Sequence, residues 1–153
     1  MLRKKQSKHY GVFKLKPLKY PPKILLGWGE AIGGNKKLAD WFLASEEYKE
    51  LGLAIHAIKN VQSARDWLME NGYAHLMAMI NGAEGSKDAL HWLEKSGFLV
   101  LKNVALSADG EDEAFEWLKK EGHGEFAMIS MKIRTVKDNI EDEHNDVHKF
   151  GRY

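Results

Sequence analysis

The chain has 153 residues, 44% of them hydrophobic, and a formal net charge of +1. A domain of this size buries roughly 70% of the surface its unfolded chain exposes, so one packed, elongated domain is expected without cross-links. Zero cysteines exclude disulfides, thiolate zinc sites and a cysteine nucleophile; no apolar run reaches the roughly 18 residues of a membrane span, and the N-terminus lacks the apolar core of a secretory signal, so a cytoplasmic protein is expected.

The small net charge hides a division along the chain. Residues 1–37 hold ten Lys or Arg against Glu30 alone, a balance of +9, whereas residues 38–153 hold 13 against 21 acids, a balance of −8. Residues 1–24 read as an irregular basic extension in which Lys4, Lys5, Lys8, Lys14, Lys16 and Lys19 are interleaved with Tyr10, Phe13 and Tyr20. Such a mixture suits a phosphate backbone with rings stacking on bases. It also suits a strip that lies on an acidic body, with Val12, Phe13, Leu15, Leu18 and Tyr20 as packing residues.

Residues 25–35 contain four glycines around Glu30, with Trp28 between two of them. The GxGxxG spacing of a dinucleotide loop is not met, and the segment reads as a degenerate half-repeat, a helix cap and turn. Glu30 and Trp28 stand as candidate binding residues there because glycine permits close backbone approach.

Four tandem units follow, at 36–60, 61–85, 86–110 and 111–136. Trp41, Trp67, Trp92 and Trp117 recur at intervals of 26, 25 and 25 residues, and each sits in an apolar i, i+3, i+4 stripe: Leu38, Trp41, Phe42; Ala64, Trp67, Leu68; Ala89, Trp92, Leu93; Ala114, Trp117, Leu118. A second apolar set occupies i, i+3, i+4 and i+7: Leu51, Ala54, Ile55, Ile58, with counterparts beginning at Leu76, Leu101 and Phe126. Gly72, Gly97 and Gly122 separate the two helices of a unit, Asn60, Gly85, Gly110 and Thr135 separate one unit from the next, and Ser63, Ser86 and Asp109 are expected N-caps. Residues 98–106 taken alone have strand composition, but the repeat register makes them helical. Residues 137–153 form a charged C-terminal cap with Ile140, Val147 and Phe150 as its apolar anchors.

The fold expected is therefore all-α: a short α-solenoid of four helical hairpins of about 25 residues, closed by unlike caps. The units resemble helical-hairpin repeats in general. Their Ala–Trp–Leu–Gly phrasing is similar to the helical part of ankyrin repeats, but the period is too short for ankyrin, tetratricopeptide or HEAT units and no Thr-Pro-Leu-His occurs.

No catalytic set, cofactor loop or metal signature is expected. His144 and His148 share a helical face but lack the zincin pattern. His56, His75, His91 and His123 occupy different columns and read as boundary positions, and the tryptophans read as core. The function expected is that of a non-enzymatic scaffold binding a protein partner, with exposed, variable positions such as Lys37, Ser63, Asp88 and Glu113 as an adaptable surface. The alternative is a nucleic-acid-associated protein, such as a ribonucleoprotein component, contacting phosphates through residues 1–23.

Overall fold

The computed structural model describes the backbone of residues 14–150 and the side chains of residues 14–143. Lys4, Lys5 and Lys8, and the side chains of His144, Val147, His148 and Phe150, lie outside the described residues.

Among the described residues every regular element is helical: α1 (Pro22–Ile32), α2 (Lys36–Ala44), α3 (Lys49–Ile58), α4 (Gln62–Glu70), α5 (Ala74–Ala83), α6 (Lys87–Lys95), α7 (Leu99–Ala108), α8 (Asp112–Lys120) and α9 (Gly124–Phe150). Consecutive helices pack on one another in chain order, as a repeat requires. The two sets of helices differ in how much of their surface is covered. In α4, α6 and α8 only a small and a large apolar residue per helix are buried, Ala64 and Leu68, Ala89 and Leu93, Ala114 and Leu118. Helix α5 instead buries nearly its whole circumference, because α3 and α7 flank it on either side while α4 and α6 cover its outer surface. The inner positions expected from the pattern of α3, α5 and α7 are all buried; so are Ile129, Ser130 and Ile133 of α9, and residues 99–108 are helical despite their composition.

Turn chemistry sets the helix ends. Gly72, Gly97 and Gly122 have φ of +92°, +82° and +85°, a left-handed conformation that a Cβ disfavours. Between units the same conformation falls on Asn60, Gly85 and Gly110, and the residue immediately after it becomes the N-cap: Val61, Ser86 and Glu111. Ser86 caps as expected, accepting from Ala89 N–H. Ser63 and Asp109 do not cap. The turn geometry places Ser63 inside α4, and it leaves Asp109 at the end of α7, where it accepts from Lys137.

Thr135 does not interrupt the chain either. No described residue after it has positive φ, its hydroxyl donates to Met131 C=O, and α9 runs unbroken for 27 residues where a stop and a separate cap were expected.

The ends of the array meet. Inner helices α1, α3, α5, α7 and α9 each pack on the next, and α9 packs extensively on α1. Gly29 lies at this contact, where a Cβ would stand 2.6 Å from Met128 Cε, the flexible end of that side chain. The elongated, open stack expected from the repeat is therefore replaced by a ring in which first and last helices cover each other's apolar faces, with Leu25, Trp28, Ile32, Ile129 and Ile133 in one continuous core. At the C-terminal end of the inner helices, Arg65 pairs with Glu84 and donates to Ala57 C=O, which also accepts from Asn60 N–H, and Lys137 donates to Ala83 C=O, so cations gather on the last carbonyls of these helices.

Candidate binding face

The opposite end of the ring is aromatic. Helices α3, α5, α7 and α9 are preceded by Tyr48, Tyr73, Phe98 and His123, the residues that follow each inter-helix turn. Each receives a tryptophan ring: Trp67 stacks on Tyr73 at 5.9 Å, Trp92 on Phe98 at 5.7 Å and Trp117 on His123 at 6.0 Å, while Trp41 lies tilted over Tyr48 at 6.2 Å. These rings clamp the turns. The tryptophans expected in the core stand on its shoulder instead: Trp67, Trp92 and Trp117 are half-buried against it and Trp41 is 50% exposed. The fully buried positions of the same stripes belong to Phe42, Leu68, Leu93 and Leu118.

Residues 14–20, which form no regular element, cross this face as a strap. Lys16 N–H donates to Gly72 C=O at 3.0 Å, and Lys16 C=O accepts from His75 Nε2 at 2.7 Å. Leu18 and Tyr20 pack on the core while Lys14, Lys16 and Lys19 remain exposed, with the Lys16 amine 5.7 Å from the centre of the Tyr73 ring. The Tyr20 hydroxyl donates to the buried Glu50 carboxylate at 2.6 Å. Burial, reinforced by Glu50, holds the Tyr20 phenol far above its ordinary range, so it remains a donor.

His75 is 1% exposed and uses both ring nitrogens: Nε2 faces Lys16 C=O and Nδ1 accepts from Leu76 N–H at 3.2 Å. This pattern requires the neutral Nε2-protonated tautomer, and burial lowers the pKa in the same direction. The expectation that His75 sits at a boundary is thus corrected: the strap closes over it.

Beside the strap a cavity of about 450 Å³ remains open. Its walls are strap residues 17–20 and the first turns of α7 and α9, residues 97–101 with His123 and Phe126; Trp28 and Leu76 form its floor. Among the described residues the lining is predominantly apolar and contains no carboxylate, and Lys19 is its one lysine. The volume falls in the range of small-ligand and side-chain pockets.

Of the candidate residues, Trp28 lines the cavity but is 1% exposed and held by its indole N–H on Leu51 C=O at 3.0 Å. Lys19 lines the cavity and Lys14 and Lys16 flank it along the strap. Glu30 is not part of this arrangement: it is exposed on α1 and lies 3.9 Å from Lys132 of α9. His75, Glu50, Phe98, Leu99 and Phe126 were missed as site residues. The aromatic or His after each turn is visible in the sequence as a column, but its meeting with the strap is not.

Among the described residues no group of three His, Asp or Glu side chains is placed to hold a metal ion, and no helix is long and apolar enough to cross a membrane. The fold and this face define an all-helical protein with an aromatic end, a polypeptide strap and an adjoining apolar cavity. Comparisons with protein-family models, curated proteins and solved structures find no match to the chain.

Proposed function

We propose that this protein is a non-enzymatic interaction module of the cytoplasm, built from four helical hairpins of about 25 residues, that receives an extended segment of a protein partner on its aromatic end. The observation that carries this reading is the strap itself. Residues 14–20 form no regular element, are paired through one backbone N–H and one backbone C=O of Lys16, and are anchored by Leu18 and Tyr20. The face therefore already holds one non-helical polypeptide segment, and the cavity beside it offers further apolar surface, including Leu99 at 45% exposure. Backbone pairing supplemented by side-chain pockets is a common mode of peptide recognition.

The reading is tested by selecting binders from a displayed library of random peptides against the full-length protein and re-assaying them on Leu99→Glu. Peptides retained by the native protein and lost by the variant support it. Failure to select any, or binders indifferent to Leu99, contradicts it.

A second reading rests on Lys14, Lys19 and Lys23, which are exposed with no ion pair recorded among the described residues. Such a row suits a phosphate backbone, and nucleic-acid binding that weakens steeply with salt and disappears on removing residues 1–23 would favour it.

A further inference from the structure

Resting on the reading that the cavity receives a partner's extended segment, we propose that this segment is an acidic one, with a large apolar side chain as anchor and carboxylates on either side of it. The cavity specifies the anchor. Trp28, Leu76, Phe98, Leu101 and Phe126 offer hydrocarbon and ring surface and no described acid lines the cavity, so a cationic side chain buried there would lose its hydration without a counter-charge, and a carboxylate would find one only at Lys19. A large aromatic or aliphatic group instead gains from leaving water, as buried anchors at the centre of interfaces do.

The rim specifies the flanks. Lys19 borders the cavity, Lys14 and Lys16 precede it along the strap and Lys23 follows in the first turn of α1; all four are exposed, and none has an ion pair recorded among the described residues. No described Asp or Glu lines the cavity, and Glu125, in the first turn of α9, lies outside the lining. A basic segment would therefore meet like charge, whereas an acidic one meets a complementary row that speeds encounter and sets register.

The seat is continuous with an interface the molecule already makes. Gly72, which accepts the strap's backbone, has its counterpart one period later in Gly97, and Gly97 borders the cavity. Next to it Phe98 stacks on Trp92 as Tyr73 stacks on Trp67. A partner segment lying beside the strap thus meets the same turn and ring arrangement as the strap does.

The test uses the full-length protein and the composition of peptides selected from the unbiased displayed library. Selected peptides are expected to share a Trp, Phe or Leu with Asp or Glu within a few residues on both sides. Synthetic versions with those acids replaced by Lys are expected to bind about tenfold or more weakly in fluorescence anisotropy, with Lys19→Glu reversing the preference and Leu99→Glu abolishing binding. Both substituted positions are exposed, and thermal melts of the variants confirm that the fold is kept. Leu99-dependent peptides with no acidic bias, or equal affinity for acidic and Lys-flanked forms, overturn the inference while leaving the module reading intact. Binding of oligo-dT that needs Lys19 but not Leu99, and that displaces the peptides, assigns the rim to a phosphate backbone and overturns it too. If no peptide is selected at all, the parent reading falls and takes this inference with it.

Discussion

His75 shows at the scale of one residue how the strap depends on protonation state. The imidazole donates through Nε2 and accepts through Nδ1, so a second proton would be directed at Leu76 N–H and destroy that contact. Burial lowers its pKa below the unfolded value of about 6.5. A depressed folded pKa favours the neutral form, so the stabilisation is fully present above about 6.5 and is lost as pH falls from there through the lowered folded value. The melting temperature is therefore expected to drop between neutral and mildly acidic pH, and the drop to shrink in His75→Gln, whose amide still donates to Lys16 C=O. Thermal melts across a pH series check this; an equal drop in both proteins contradicts it. His75 was not legible as a special residue, because its partner Lys16 is 59 positions away and no local spacing links them.

At the scale of helices, the internal glycines divide by what their backbone touches. Gly52 lies inside α3, and a Cβ there would stand 2.7 Å from Leu43 N and 2.9 Å from Leu43 Cα of α2. These are backbone atoms that cannot swing aside. Gly52→Ala is therefore expected to destabilise by about 2 kcal/mol despite alanine's better helix propensity. Gly27 lies inside α1, with its nearest neighbour for a Cβ at an ordinary 3.7 Å. Gly27→Ala is expected to stabilise by about 0.5–1 kcal/mol. Denaturant titrations of the two variants check the opposed signs. Element by element, the chain was largely readable: tryptophan spacing gave the register, the i, i+3, i+4, i+7 sets marked the inner faces, and Gly72, Gly97 and Gly122 marked turns. Ser63 and Asp109 have the composition of caps, but the left-handed residue, not composition, locates the cap. The depth of the tryptophans is not legible, because periodicity identifies a helical stripe but not which of its members lies at the centre.

For the whole molecule, closure of α1 on α9 was not legible: it depends on small rotations accumulated from unit to unit, which no sequence window contains. Closure removes the exposed ends from which an open stack would fray. Native-state hydrogen exchange is therefore expected to protect α1 and residues 124–133 of α9 about as well as α5, whereas an open stack would show protection falling from the centre towards both ends. The ring also gathers the strap, the aromatic column and the cavity at one end, away from the outer-helix positions Lys37, Ser63, Asp88 and Glu113, all of them exposed. The decisive measurement is amide chemical-shift mapping of the full-length, isotope-labelled protein with a peptide selected for binding. Shifts concentrated at residues 17–20, 97–101 and 123–126 are expected if the aromatic end receives the partner; shifts running along Lys37, Ser63, Asp88 and Glu113, with the cavity residues unmoved, would contradict that account.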